Sequence, residues 1–193
     1  MVTLNRIYTR TGDRGDTRLA TGETVQKCDC RVEAYGAVDE ANASVGVARL
    51  YARDEPLLDE MLTRIQNELF DLGADLATPE REGHSLAWTP LRIVDSQVER
   101  LEKEIDRLNA ELEPLNSFVL PAGAPVAAHL HVARTVCRRA ERIAVNLARQ
   151  PGENVGAPAL KYLNRLSDWL FVAARWANHR AGGDVLWSPG ATR

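Results

Sequence analysis

The sequence lacks the features that mark secreted, membrane-spanning or disulfide-stabilised proteins. Its three cysteines, Cys28, Cys30 and Cys137, are too few and odd in number for a disulfide framework. No uncharged apolar run approaches the roughly 18–20 residues of a membrane span, and the first six residues contain no apolar segment typical of a secretory signal. We therefore expect a protein of a reducing compartment, the cytoplasm.

The sequence also lacks a large excess of positive or negative charge. The 193 residues include 24 lysines and arginines and 27 aspartates and glutamates, which gives a net charge of −3. This slightly acidic balance argues against a protein that coats nucleic acid. With 45% hydrophobic and 26% charged residues, the composition is that of an ordinary globular protein, and the length predicts one domain over 1–193.

The common signatures of nucleophilic and metal catalysis are missing as well. There is no Gly-x-Ser-x-Gly motif and no pairing of a nucleophile with a base. The four histidines have no metal-ligand spacing, and the two nearest, His129 and His131, fall on different faces of a helix. The sequence therefore predicts no metal held by protein ligands.

From about residue 31 onward, apolar residues recur at steps of three and four, which is typical of amphipathic helices. Residues 1–30 are instead rich in Gly, Thr and Asp and predict an irregular N-terminal arm, and 182–193 form a tail. No alternating pattern typical of strands is visible. Five helical segments of similar length favour an all-α, five-helix bundle over 31–181: 31–53, 56–77, 90–112, 125–149 and 157–181.

The arm segment 9–17 combines residue types that suit an anion. Gly12 and Gly15 let backbone N–H groups turn inward, and the threonine hydroxyls add donors. It is not a Walker loop, because no Gly-Lys-Ser/Thr follows and no strand precedes it. The alternative is a polar arm without a ligand. Positive charge comes from Arg10, Arg14, Arg18 and Lys27.

The fourth predicted helix carries an arginine stripe. At about 100° per residue, Arg138 lies about 40° and Arg142 about 80° from Arg134, and Glu141 roughly 20° to the other side. Like charges at this spacing repel, and a polyphosphate would neutralise them because guanidinium groups bind phosphate oxygens in pairs. The alternatives are a solvated basic face, pairing with carboxylates of another helix, or RNA binding, which the local charge and lack of interleaved aromatics disfavour.

Two further polar groups interrupt apolar helices. Asn164 and Asp168 are four residues apart and share a face. They could form a helix–helix hydrogen bond, or read a base or ribose and orient an arginine. Asp39 and Glu40 follow Gly36 on the first helix and are surface carboxylates by default.

Five blocks of the chain, in this order, are similar to the PduO-type ATP:cob(I)alamin adenosyltransferases. The likeness extends over nearly the whole sequence, and it implies a five-helix bundle that assembles as a homotrimer with active sites between subunits. It also implies transfer of the 5′-deoxyadenosyl group of ATP to the cobalt of cob(I)alamin, with release of triphosphate. The matching blocks are 8–17, 35–40, 118–121, 134–142 and 162–168.

The resemblance also implies roles for individual residues. Arg138 would act on the phosphates, Arg134 would pair with Asp39 of a neighbouring subunit, Phe118 would exclude the lower axial ligand of the corrin ring, and Asp168 would lie close to the substrates. The implied ATP-binding residues are Thr9, Arg10, Thr11, Gly12, Asp13, Gly15, Thr17, Arg18, Lys27, Arg138, Arg139, Ala140, Glu141, Arg142 and Asn164.

The implied chemistry needs no pairing of a nucleophilic side chain with a base, which the sequence lacks, because cob(I)alamin is itself the nucleophile. Arginines, a lysine, backbone donors and Mg²⁺ held by phosphates and water would stabilise the departing triphosphate. The resemblance implies a flavin-dependent reductase and a cobalamin-dependent acceptor enzyme as partners; a non-catalytic nucleotide- or cobalamin-binding sensor or delivery protein is the alternative. One departure is Ala122, where the family often has glycine, so the loop after Phe118 should differ slightly.

Overall fold

The computed structural model describes residues 7–81 and 86–193, and within these ranges it has five helices and one small hairpin. The predicted all-α, five-helix bundle is confirmed; His84 lies outside the described residues. The helices are α1 Cys30–Arg49, α2 Pro56–Leu76, α3 Asp95–Asn109, α4 Pro125–Ala148 and α5 Ala157–His179, and the strands are β1 Asp16–Arg18 and β2 Thr24–Gln26.

Four helices begin within one residue of the predicted position because local signals fix their first turns. The carboxylate of Asp29 accepts a hydrogen bond from the Arg31 amide at 2.7 Å and caps α1. Prolines occupy the first turn of the other three, where their missing N–H costs nothing: Pro56 in α2, Pro125 in α4 and Pro158 in α5.

The predicted start of the third helix at 90 is wrong, because α3 begins at Asp95. Residues 90–94 are held in a non-helical conformation by the end of α2. The Asp75 carboxylate accepts hydrogen bonds from the Arg92 guanidinium at 2.8 Å and from the Ile93 amide at 2.9 Å. A tertiary contact therefore overrides the helix signal of Pro90, and α3 has 15 residues.

The hairpin in the N-terminal arm was not visible in the sequence. β1 and β2 are antiparallel, with Thr17 opposite Val25. Strands of three residues are too short to show an alternating pattern. The arm is fixed to the bundle just after β1, where Leu19 is buried and the Ala20 amide donates to the Ala77 carbonyl at 3.0 Å.

The core lies between α1 and α4, α4 and α5, α1 and α2, and α3 and α5. Two large aromatic residues of α5, Tyr162 and Trp169, are fully buried and donate to buried carboxylates: the Tyr162 hydroxyl to Glu68 at 2.8 Å and the Trp169 indole to Glu104 at 2.9 Å. Buried polar groups need such partners. Rows of buried alanine let α1 and α4 approach their neighbours closely: Ala34, Ala41, Ala48, Ala133, Ala140 and Ala144.

Candidate functional site

A buried charge network anchors the N-terminal arm to the bundle. Arg31 is 1% exposed, and its guanidinium donates to the Leu76 carbonyl and to the Glu153 carboxylate, 3.0 Å from Nε. Arg81 joins Glu153, at 3.1 Å, to Glu23 in the hairpin, at 3.4 Å. Burial alone would raise the pKa of Glu153, but the hydrogen bonds and charges of Arg31 and Arg81 outweigh it, so the pKa lies below its ordinary value.

Replacing Glu153 by glutamine should therefore destabilise the protein in a pH-dependent way. Hydrogen bonds to charged groups contribute about 1.5–3 kcal/mol, and we expect a loss of that size at pH 7. Because the folded pKa lies below the ordinary 4.5, the stabilisation is complete above that pH and is lost as the pH falls through the folded pKa. Urea unfolding of both proteins at pH 7, 5.5 and 4 measures the difference, and a difference independent of pH would contradict the assignment.

The glycine-bearing segment of the arm folds back on itself. The Gly15 amide donates to the Gly12 carbonyl at 3.2 Å, and the Lys27 amide donates to the Gly15 carbonyl at 2.7 Å. A Cβ at position 12 would lie only 3.2 Å from the Lys27 ammonium, so the absence of a side chain lets the lysine approach. Gly15 has a φ of +92°, and Arg10, at +62°, is the one non-glycine residue with positive φ among the described residues.

Most of the predicted arm residues are exposed, as a surface that meets a ligand requires. Thr9 and Thr11 lie 2.8 Å apart through their hydroxyl oxygens. Gly12 and Thr17 are half-buried. In the described parts of the chain, no hydrogen bond or ion pair joins residues 9–27 to the arginines of α4. The exposed members are Thr9, Arg10, Thr11, Asp13, Arg14, Gly15, Arg18 and Lys27.

The arginine stripe of α4 consists of Arg134, Arg138 and Arg142. Arg134 is half-buried, whereas Arg138 and Arg142 are exposed. Among the described residues, no carboxylate lies within ion-pair distance of these three. Burial and the charge of Arg138 both lower the pKa of Arg134, so the two positive groups are close enough to repel. Such an arrangement favours an anion.

The remaining predicted residues of α4 are in different surroundings. Arg139 forms an ion pair with Glu40 of α1, which is exposed, as expected of a surface carboxylate. Ala140 is buried in the core. Cys137 is also buried; burial raises its pKa, and its thiol donates to the Leu163 carbonyl at 3.4 Å. This neutral thiol is no nucleophile.

Asn164 and Asp168 are exposed on α5, not buried as the apolar pattern suggested. The Asn164 amide donates to Glu141 of α4 at 2.9 Å, which is the helix–helix hydrogen bond weighed above, beside the arginine stripe. Asp168 forms an ion pair with Arg165 at 3.3 Å.

Asp39 is exposed on α1, and in the described chain no ion pair joins it to Arg134. The resemblance assigns that pair to two different subunits, and it stays a prediction.

Phe118 lines an open cleft beside the arginine stripe. Its ring is 76% exposed, and the cleft has a volume of about 760 Å³. Arg134 lines the same cleft, with its guanidinium 5.9 Å from the centre of the Phe171 ring. The cationic stripe and the aromatic cleft are therefore continuous. Other lining residues are Leu115, Val119, Trp187 and Pro189.

The sequence reasoning missed the C-terminal wall of this cleft. Trp187 meets Phe118 edge to face at 5.9 Å between ring centres, and Val119 forms a β-bridge with Leu186. Composition alone predicts only a tail over 182–193, but the tryptophan within it indicates that this segment packs against other residues.

The substitution at Ala122 does not strain the loop. The positive φ, +106°, belongs to Gly123, whereas Ala122 has none. A Cβ at Gly123 would lie 2.1 Å from the Asn178 side-chain oxygen. The position that requires glycine has it, and the slight difference in the loop expected from Ala122 stays a prediction.

Residues 7–81 and 86–193 contain neither a membrane-spanning helix nor a cluster of metal ligands. No helix there combines the length and apolar character needed to cross a membrane. No group of three or more histidine, cysteine, aspartate or glutamate side chains there could hold a metal ion.

Comparisons with known proteins agree with one another. A family model described as cobalamin adenosyltransferase matches residues 7–177. A corrinoid adenosyltransferase of Mycobacterium tuberculosis is 50% identical over 194 residues, which covers 100% of this chain and 97% of that protein. The corresponding protein of Bacillus subtilis is 44% identical, covering 93% and 91% of the two chains.

Solved structures give the same answer. A variant PduO-type ATP:corrinoid adenosyltransferase from Lactobacillus reuteri, complexed with cobalamin and ATP, is 40% identical with a TM-score of 0.84, covering 94% of this chain and 99% of that one. Another variant of that enzyme, complexed with ATP, has a TM-score of 0.83 at 40% identity and covers 94% and 100% of the two chains. The chain thus belongs to the cobalamin adenosyltransferase family.

Proposed function

We propose that this protein transfers the 5′-deoxyadenosyl group of ATP to the cobalt of cob(I)alamin and releases triphosphate. The observation that carries the proposal is the continuity of an uncompensated cationic stripe with an aromatic cleft through one residue, Arg134. A polyphosphate suits the stripe, and a flat macrocycle suits the cleft. The similar Lactobacillus reuteri enzyme binds ATP and cobalamin together.

The transfer is a displacement at the 5′ carbon of ATP. The electron pair of Co(I) forms the new bond to carbon while the bond to the triphosphate oxygen breaks and its electrons leave with the triphosphate. Arg138 and Arg142, on the exposed face of α4, and Lys27 of the arm would stabilise that charge. Mg²⁺ would be held mainly by phosphate oxygens and water, since the described residues offer no cluster of ligands.

The exposed Phe118 ring has a separate role in this proposal. Cob(II)alamin carries a lower axial ligand that donates electron density to cobalt and makes reduction to Co(I) harder. An apolar ring beneath the corrin offers no lone pair to the cobalt. It also excludes water and the base that would otherwise serve as the lower ligand. Phe118 would therefore make the cobalt easier to reduce, and Asp168 would act close to the substrates.

A homotrimer with active sites between subunits would supply contacts that the described residues of one chain do not make. The arm residues do not reach the arginines of α4 within the described chain, and Asp39 does not reach Arg134. Both pairs would form with a neighbouring copy. We also propose a cytoplasmic location, a flavin-dependent reductase that supplies the electrons, and a cobalamin-dependent enzyme that accepts the product.

One assay tests the activity. The purified protein is mixed with ATP and chemically reduced cobalamin, and the formation of adenosylcobalamin is followed by absorbance, with a size measurement on the same sample. Conversion is expected. A non-catalytic sensor or delivery protein would bind both molecules and convert neither, which would refute the proposal. Salt-sensitive retention of RNA on a filter would favour the basic-helix alternative.

A further inference from the structure

We propose that two buried polar residues near the end of α5, together with a half-buried aspartate just after it, position Phe118 and so control the step that depends on it. These residues, Arg175, Asn178 and Asp184, are called the C-terminal latch below. The inference rests on the role proposed for Phe118. The latch residues do not line the cleft, so they are positioning residues and not catalytic ones.

Arg175 joins the chain before Phe118 to the C-terminal tail. It is 8% exposed, its Nε donates to the Asp184 carboxylate at 2.9 Å, and its Nη2 donates to the Glu113 carbonyl at 2.9 Å. A buried guanidinium needs both an opposite charge and acceptors for its N–H groups, and these two contacts supply them. Arg175 therefore fixes the start of the loop that carries Phe118 and the start of the tail.

Asn178 joins the chain after Phe118 to the same tail residue. It is 1% exposed; its side-chain oxygen accepts from the Ala124 amide at 2.9 Å, and its amide donates to the Ala122 carbonyl at 3.0 Å and to Asp184 at 3.3 Å. Gly123 packs so closely on Asn178 that no side chain fits between them. The latch thus holds both ends of the loop.

The tail, once fixed at Asp184, continues directly to Phe118. The Leu120 amide donates to the Val185 carbonyl at 2.8 Å, the Trp187 amide donates to the Phe118 carbonyl at 2.8 Å, and the Ser117 hydroxyl donates to the Trp187 carbonyl at 2.8 Å. Phe118 is mostly exposed, and its ring contact with Trp187 comes from the same tail, so side-chain packing alone cannot hold the ring in place. Its position depends on the backbone, and the backbone depends on the latch.

Asp184→Asn is the informative variant, because it removes the charge that holds Arg175 with almost no change in shape. Glu113→Gln is its matched control: it removes one negative charge from the loop that carries Phe118, while the latch uses only the Glu113 carbonyl. The effect of Asp184→Asn should be selective, since cob(I)alamin has no lower ligand and needs no exclusion of one. When the assay starts from cob(II)alamin with a reductant too weak to reduce its ligand-bound form, Asp184→Asn should lower the rate of adenosylcobalamin formation about tenfold.

Five readouts separate positioning from mere structural support. Asp184→Asn should leave ATP affinity and the rate with pre-reduced cob(I)alamin within about twofold, while the absorbance and electron paramagnetic resonance of bound cob(II)alamin shift toward the ligand-bound form. Combining Asp184→Asn with Phe118→Ala should be no slower than Phe118→Ala alone. Asp184→Glu, which keeps the charge, should recover part of the rate.

Each outcome decides one of the two proposals. If Phe118→Ala leaves the cob(II)alamin rate and spectrum unchanged, the role of Phe118 fails. If Phe118→Ala changes them and Asp184→Asn does not, the latch proposal fails and the role of Phe118 stands. Equal losses with cob(I)alamin, cob(II)alamin and ATP binding would make the latch purely structural. If Asp184→Asn does not fold, Arg175→Lys replaces it, because lysine keeps the charge but cannot make both hydrogen bonds of Arg175; failure of both to fold would also overturn the proposal.

Discussion

Arg138→Ala should lower turnover at least about 100-fold, because loss of a single donor to a developing negative charge costs about that much. Arg138 is exposed and has no ion-pair partner among the described residues, so its removal breaks no internal contact of the fold. The melting temperature should therefore stay the same or rise slightly, because the variant also relieves the repulsion between Arg138 and Arg134. Arg138→Lys keeps the charge but loses the bidentate contact with phosphate, and its rate should lie between those of the unmodified protein and Arg138→Ala.

Arg107→Ala is the control for this experiment. Arg107 is another exposed arginine, in the last turn of α3, and has no role in the proposed site. Its loss should change neither rate nor stability. Adenosylcobalamin formation is measured at saturating ATP, together with thermal unfolding and subunit size. A near-normal rate for Arg138→Ala would remove the arginine stripe from the proposed mechanism.

The sequence predicted the bundle because its signals are local and repeated. The apolar steps of α2, including Leu58, Leu62, Ile65 and Leu69, continue over 21 residues, and all four are buried. The arginine stripe was predictable for the same reason: residues four apart on a helix share a face, wherever that helix packs.

Features that depend on contacts distant in sequence could not be predicted. The start of α3 is set by Asp75, about 20 residues earlier, and only the folded chain brings that carboxylate to Arg92 and Ile93. The exposure of Asn164 and Asp168 depends on which neighbours α5 acquires. Arg175 and Asp184 are closer in sequence. Their ion pair, however, reaches the loop that carries Phe118 only because Arg175 also donates to the Glu113 carbonyl, 62 residues away.

Arginines in the interior and on the surface of this protein differ in whether they pair with carboxylates. The buried Arg31 is paired with Glu153 and the buried Arg175 with Asp184, whereas the more exposed arginine stripe of α4 has no carboxylate within ion-pair distance among the described residues. Pairing inside a protein offsets the cost of removing a charge from water. An exposed cluster of one sign destabilises the fold slightly, and binding an anion relieves the repulsion.

Phe118→Ala should spare ATP binding and slow the reduction of cob(II)alamin. Without the ring, water or the base can approach the lower face of the corrin and stay bound to cobalt. A change of only about 59 mV in a one-electron couple alters the equilibrium tenfold, so we expect at least about a tenfold loss of rate from cob(II)alamin. With pre-reduced cob(I)alamin the loss should be small, because that form has no lower ligand to exclude.

Phe70→Ala is the matched control for Phe118→Ala, because the two phenylalanines are similarly exposed, 72% and 76%, and Phe70 lies on α2 outside the cleft. Both variants remove an exposed ring, so general effects on solubility or stability should be equal. The measurements are ATP affinity, the spectrum of bound cob(II)alamin, and the rates from cob(II)alamin and cob(I)alamin. Equal losses in both rates for Phe118→Ala would show that the ring contributes to binding the corrin and not to excluding its lower ligand.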